Sequence, residues 1–321
     1  MPRWAPAPHR ASAMGNPHAG YELRETTMTS KATEAICVAH TNDVLGECPI
    51  WCRETRALYW IDVFRPAIHR YTPASGEVRS WTPPQKLGSL ALRRSGGFLL
   101  ATRSGLALFD PETNAFEIIA TPEADRPGNL INDGKCDRDG RFWVGSMDRM
   151  LEKPSGRLYR LDPDRSCRVM DDDILMFNGI CFSPDDRVLY FADSSRHAIY
   201  AHDFDIDAGA IGPRRLFAST AGRPGVPDGA TADAEGFVWS AQFDSGTLVR
   251  YAPDGRVDRI IEVPVSRVTS CAFGGDNLDV LYLTTATFRL PPERRAREPW
   301  AGGILALDVG MCGIPEPRFA G

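Results

Sequence analysis

From about residue 34 to the end of the chain, apolar positions fall into short runs, either alternating with polar residues or continuous. Gly, Asp, Asn and Pro separate them. No long stretch shows the three-to-four spacing of an amphipathic helix. One phrase recurs six times: a small turn, an apolar strand with an aromatic residue, a polar break, and a second strand ending near Asp-Pro or Gly. Its first strands are Ala57–Asp62, Gly97–Ala101, Arg141–Gly145, Val188–Asp193, Phe237–Ser240 and Val280–Leu283. The follow-on strands are Ala67–Tyr71, Leu106–Pro111, Gly156–Pro163, Ala198–Ala201, Thr247–Tyr251 and Gly303–Asp308. Copies spaced by roughly 40 to 50 residues match the period of a four-stranded propeller blade. The pattern therefore predicts an all-β, six-bladed β-propeller.

A ring of blades must close. The early strand Ala35–Ala39 is predicted to pair with the last blade near Gly303–Asp308, which protects the sheet edges. Closure also gives distant residues a common meeting place, because the innermost strand of every blade borders one central channel. Three polar segments are placed to use it: Leu45-Gly46-Glu47-Cys48-Pro49, Phe177-Asn178-Gly179 and Pro227-Asp228-Gly229. Each sets one oxygen-bearing side chain, Glu47, Asn178 or Asp228, beside Gly or Pro in what reads as a turn. Two carboxylates and an amide meeting at one point make an oxygen-only site for a hard divalent cation.

Composition narrows the function. The 321 residues are 43% hydrophobic and 25% charged, as in a soluble domain, and an all-β ring of this length is allowed as one unit. A net charge of −5, with bases interleaved among acids, argues against nucleic acid. No apolar stretch reaches the ~18 residues of a membrane span. Residues 1–32, rich in Pro, Ala and His, lack the apolar core of a secretory signal. They read as a disordered extension, or as an over-long start with Met14 or Met28 as the initiator, and the propeller is assigned to residues 33–321. The eight cysteines show no paired spacing, so buried free thiols in a reducing cytoplasm are expected. Cys48 and Cys52 give a weak zinc hint without a second pair to complete it. His40, His69, His197 and His202 belong to no nucleophile motif, and Gly-x-Ser-x-Gly is absent, which disfavours a serine hydrolase.

The polar segments also carry a resemblance. Leu45-Gly46-Glu47-Cys48-Pro49-Ile50-Trp51 is similar to the opening motif of the SMP-30/gluconolactonase/regucalcin-like family. Asn132-Asp133-Gly134-Lys135-Cys136-Asp137 with Gly140–Met147, Phe177-Asn178-Gly179 with Ser183-Pro184-Asp185, Pro227-Asp228-Gly229, and Thr269–Gly275 resemble its later motifs in the same order. The resemblance covers nearly all of the chain from about residue 40. It implies a six-bladed propeller of metal-dependent lactonases, with Glu47, Asn178 and Asp228 as metal ligands and Asn132 contacting the substrate. It further implies hydrolysis of gluconolactone, or of a five-membered lactone of arabinonic, xylonic or galactonic acid, to the aldonic acid. Asp228 serves as both ligand and base in that reading. Ca²⁺ is favoured by the donor set, and Zn²⁺, Mn²⁺ or Mg²⁺ also fit.

Two departures bear on the substrate. Leu130 stands where the family often has Arg, and the position of a further substrate acid falls near Met150, flanked by Asp148 and Glu152. The alternatives are an aryl-ester or phosphotriester hydrolase and a non-catalytic calcium-binding or ligand-sensing propeller. Read without the resemblance, Asn178 and Asp228 are plain turn residues, Glu47 is a strand-end acid, and Asn132-Asp133-Gly134 is a hairpin turn. Asp171-Asp172-Asp173 reads as a solvated loop.

Overall fold

The computed structural model describes residues 34–321, and the predicted N-terminal extension lies outside the described residues. Six antiparallel sheets form a ring, as predicted. Blade one is built from Gly46–Cys52, Ala57–Asp62, Ala67–Thr72 and Glu77–Trp81. The innermost strands of the next five blades are Leu87–Leu92, Asn129–Cys136, Phe177–Phe182, Val226–Ala232 and Val268–Gly274. The recurring aromatic phrase is the second strand of each blade, and its follow-on strand is the third.

Closure follows the sequence expectation. Ile36–Ala39 adds itself to Ile304–Asp308, with Ile36 opposite Ala306 and Cys37 opposite Leu305. Blade six thus takes three strands from late in the chain and one from the first described residues, which joins the two ends of the ring and covers the edge of Ile304–Asp308.

The apolar core lies between blades. Blades one and two share Tyr59, Leu90 and Phe98, blades three and four share Trp143, Phe177 and Phe191, and Trp51, Trp239 and Phe273 join blades one, five and six. Each such side chain removed from water contributes about 1.5–3 kcal/mol, which explains why the second strands are apolar on both faces. Three buried tryptophans need polar partners as well, and Trp60 donates to Asp43 at 2.8 Å. The indole N–H groups of Trp143 and Trp239 each donate at 2.8 Å to a buried carboxylate, Asp137 and Asp233.

Two local expectations differ from the structure. Asp171–Asp173 form no loop; they lie in the outer strand Cys167–Ile174. An outer strand faces solvent and tolerates acids, and here Arg214 and Arg196 from blade four neutralise Asp171 and Asp173 at 3.5 and 3.0 Å. The polar "turns" are β-bulges inside the innermost strands. Pairing with the second strand slips at Glu47/Ile50, Ile131/Gly134, Asn178/Cys181 and Pro227/Ala230, with equivalent slips in blades two and six.

The inner strands are packed backbone against backbone. A Cβ on Gly88 would lie 2.2 Å from the Ile131 carbonyl oxygen and 3.0 Å from that of Asn132. Gly88→Ala should therefore lose about 1–3 kcal/mol of stability in chemical denaturation. Gly128→Ala, where nothing lies within 4 Å, should stay within about 0.5 kcal/mol. Equal behaviour of the two variants would refute the crowding argument.

Candidate metal centre and active site

Every innermost strand starts at the same end of the ring. Glu47 and Asn178 are the second residues of their strands, and Asp228 is the third. Blades one, four and five therefore deliver them to one end of the channel, and the bulges re-aim them out of the alternating pattern. Cys48 in blade one and Gly179 in blade four carry positive φ, 52° and 53°. A Cβ at Gly179 would sit 2.3 Å from the Asp228 carbonyl oxygen, so only glycine lets blades four and five meet there.

A hydrogen-bonded chain fixes the two amides. Ser194 Oγ donates to the Pro227 carbonyl at 2.6 Å, an acceptor only, so toward Asn178 it can only accept. Asn178 therefore presents Nδ2 to Ser194, at 2.9 Å, and turns Oδ1 to the channel. Asn132 Nδ2 donates to that Oδ1 at 2.7 Å and to the Phe177 carbonyl at 2.8 Å. Both of its amide protons are engaged, and its own Oδ1 remains as an acceptor.

The carboxylates around these amides are not held in ion pairs. Among the described residues, no Lys, Arg or His forms an ion pair with Glu47, Asp133 or Asp228. Burial, then repulsion from Asp228 and Asp133, pushes the Glu47 carboxyl well above the usual range. Burial, then repulsion from Asp133, does the same to Asp228. Asp133 is also raised by burial, with Lys135 and hydrogen bonds opposing. Clustered acids of this kind suit a cation. Among the described residues no three or more His, Cys, Asp or Glu side chains are arranged to hold an ion. A cation here would thus need the Asn178 amide oxygen beside Glu47 and Asp228, and that oxygen-only donor set fits a hard divalent ion.

Asp133 and Ser194 were missed from sequence. Asp133 sits in the same bulge as Asn132, accepts from its own neighbour Gly134 N–H at 2.8 Å, and takes the Cys48 thiol at 3.4 Å. Its position beside Asn132 in the Asn-Asp-Gly segment was the available signal. Ser194 follows the second strand of blade four and had no sequence signal. Cys48 and Cys52 stand at opposite ends of the channel side of blade one. Burial, then the charges of Asp133 and Glu47, raises the Cys48 thiol well above its usual value, whereas Cys52 accepts from Arg318 at 2.9 Å. All eight cysteines are free, but only five are buried: Cys37 and Cys167 are half-buried and Cys312 is exposed. Asp148 is not brought into the centre: it accepts from the N–H groups of Glu152 and Lys153 at 2.9 and 3.2 Å within its own loop. Met150 is exposed.

The fold and this arrangement define a six-bladed propeller whose channel ends in an oxygen-rich, acid-dominated centre. The chain belongs to the SMP-30/Gluconolactonase/LRE-like family, whose characteristic region matches residues 45–287. It is 38% identical over 286 residues to 6-deoxy-6-sulfogluconolactonase of Pseudomonas putida, covering 89% of this chain and 98% of that protein. It is 32% identical over 292 residues to human regucalcin, again covering 89% and 98%. A regucalcin from Agrobacterium tumefaciens, described as a calcium-binding protein, superposes with a TM-score of 0.85 at 30% identity, covering 89% of this chain and 97% of that one. No helix among the described residues is long and apolar enough to cross a membrane.

The acid cluster sets a direction for stability. Asp228→Asn removes one of the repelling charges, so the variant should unfold at a higher temperature than the native protein when both are stripped of metal, by about 0.5–2 kcal/mol. Ca²⁺ at a hundred times its dissociation constant should stabilise the native protein by about 2.7 kcal/mol and the variant much less. Calorimetry with and without chelator checks both, and a variant equally stabilised by Ca²⁺ would remove Asp228 from the ligand set.

Proposed function

We propose that this protein hydrolyses a sugar lactone to its aldonic acid with the help of one divalent cation, Ca²⁺ in preference to Zn²⁺, Mn²⁺ or Mg²⁺. The observation that carries this reading is the union of the fixed Asn132–Asn178–Ser194 amide chain with the buried acids Glu47 and Asp228, which have no ion pair to a basic side chain among the described residues. The 38% identity to a sulfogluconolactonase supports a lactone as the substrate. Glu47, Asn178 and Asp228 would hold the cation. When bound, the cation supplies polarisation of the lactone carbonyl and a counter-charge for the oxyanion.

The chain's own groups do the rest. Asp228, buried at 7% exposure, accepts the proton of the attacking water. Asn132, with Nδ2 spent on Asn178 and Phe177, uses Oδ1 to accept from a substrate hydroxyl and so orients the ring. The eight unpaired cysteines support a reducing, cytoplasmic setting.

One observation favours a second reading. Leu130 lies directly across from Met147, and Met147 bridges to Met176, so the wall beside Asn132 is apolar where a guanidinium would hold hydroxyls or an acid. An aryl ester or phosphotriester would suit that wall better than a polyol.

Acid release from aldono-1,4- and 1,5-lactones, aryl esters and phosphotriesters by metal-stripped protein, with each cation restored in turn, separates the readings. We expect Ca²⁺-restored turnover of a sugar lactone. Asp228→Asn should lower kcat by about 10²–10⁴, and Asn132→Ala should lower kcat/KM by about tenfold. Faster turnover of aryl esters would install the second reading, and no turnover of any substrate would leave a binding propeller.

A further inference from the structure

Blades one, three and five repeat one cross-strand row: an aromatic residue, then two arginines directly opposite each other. The rows are Tyr59–Arg70–Arg79, Trp143–Arg160–Arg168 and Trp239–Arg250–Arg259. Like charges directly opposite on a sheet are destabilising unless neutralised. In blade three Arg160 pairs with Asp162 at 2.7 Å, and in blade five Arg250 pairs with Asp233 at 2.7 Å and Asp258 at 2.9 Å. In blade one Arg70 has no hydrogen-bond or ion-pair partner among the described residues, and its Nε is buried. The difference is traceable in sequence: Asp162 lies two residues after Arg160 in blade three and Asp233 directly after the innermost strand of blade five, where blade one has Thr72 and Arg53.

Where blade one lacks its acid there is a cavity of about 260 Å³ between blades one and two. It opens among turns at the end of the ring opposite Glu47, since Gly46–Cys52 runs from the acid centre to Cys52 on the cavity wall. Four guanidinium groups and two carboxylates line it. Arg318 is paired with Glu54 at 2.9 Å and Arg79 with Glu112 at 3.3 Å, both acids largely exposed. Arg93 donates to the Gly321 carbonyl oxygen at 3.1 Å, which leaves Arg70 unsatisfied. The remaining wall is aromatic: Trp81 packs on Tyr59 at 6.5 Å and on Phe98 at 6.0 Å, with the Arg79 guanidinium 4.7 Å from its ring. Trp81 Nε1 is likewise a buried donor without an acceptor.

We propose that this cavity binds a small organic anion, a carboxylate or phosphate monoester on a planar, unsaturated body. Its acid group lies between Arg70 and Arg79, supplying the negative charge that acidic side chains supply in blades three and five. Its planar body rests on the Trp81–Tyr59 wall, and a second acceptor on it takes the Trp81 N–H. The site is separate from the acid centre and does not depend on lactone hydrolysis.

Calorimetric titration of the full chain, loaded with Ca²⁺ and at low ionic strength, tests this with phenyl phosphate, benzoate and inorganic phosphate. We expect saturable one-to-one binding of phenyl phosphate or benzoate, with the tighter of the two naming the acid group and inorganic phosphate weaker than either. Arg70→Gln should weaken binding by about tenfold or more, Arg53→Asp should abolish it by restoring an acid, and Asp228→Asn should leave it unchanged. Arg79→Gln serves the same purpose if Arg70→Gln does not fold. No saturable binding up to about 10 mM, or binding that survives both arginine variants, overturns the proposal. Loss of binding in Asp228→Asn alone moves the anion to the central channel and overturns it as well.

Discussion

Six strands have to run side by side around one narrow axis, and there is not room among them for six sets of full side chains. Glycine recurs in each innermost strand, and at Gly88, Gly179 and Gly229 an added Cβ would lie 2.1–2.3 Å from an atom of the next blade. Bulges relieve the same crowding by breaking the two-residue alternation. The break decides where chemistry is placed, because a residue in a bulge no longer has to point at the neighbouring blade. Asn132 and Asp228 lie within such bulges, and Glu47 and Asn178 are the last paired residues before theirs. Packing at the axis and the candidate site are two results of one constraint.

The acid centre costs stability and the blades supply it. Glu47, Asp133 and Asp228 repel one another with no ion pair to neutralise them among the described residues, as happens where function sets the arrangement rather than folding. The compensation lies in the interblade clusters, in closure of the ring by Ile36–Ala39, and in the satisfied Trp–Asp–Arg groups of blades three and five. A centre at the meeting point of four blades holds its geometry only while the ring holds its own.

The blades are repeats in fold but not in chemistry. Blades one, four and five present Glu47, Asn178 and Asp228 at one end of the channel and blade three presents Asn132 and Asp133, whereas blades two and six bring no acid or amide to that group. At the other end the repeated arginine row is neutralised in blades three and five and left open in blade one. A repeat architecture allows this, since each blade is held by its neighbours and a single position can diverge without refolding the unit.

How much was legible in the sequence follows from the range of each interaction. Strand periodicity, the blade repeat and the pairing of Ala35–Ala39 with the last blade were readable because burial of alternating or continuous apolar runs is a local pattern with a long-range consequence. Glu47, Asn178, Asp228 and Asn132 were readable as candidates because their Gly and Pro neighbours mark irregular backbone. That the irregularity is a bulge rather than a turn was decided by tertiary structure, since only pairing with the second strand distinguishes the two. Asp133, Ser194 and the Arg70 cavity were likewise decided there. Ser194 matters through Pro227, 33 residues away, and Arg70 through the absence of the acids that neutralise its counterparts Arg160 and Arg250, which shows only once strand pairing sets the three rows side by side. Sequence fixes which groups a strand carries; the closing of the ring determines which of them meet, because proximity around the axis has no counterpart in separation along the chain.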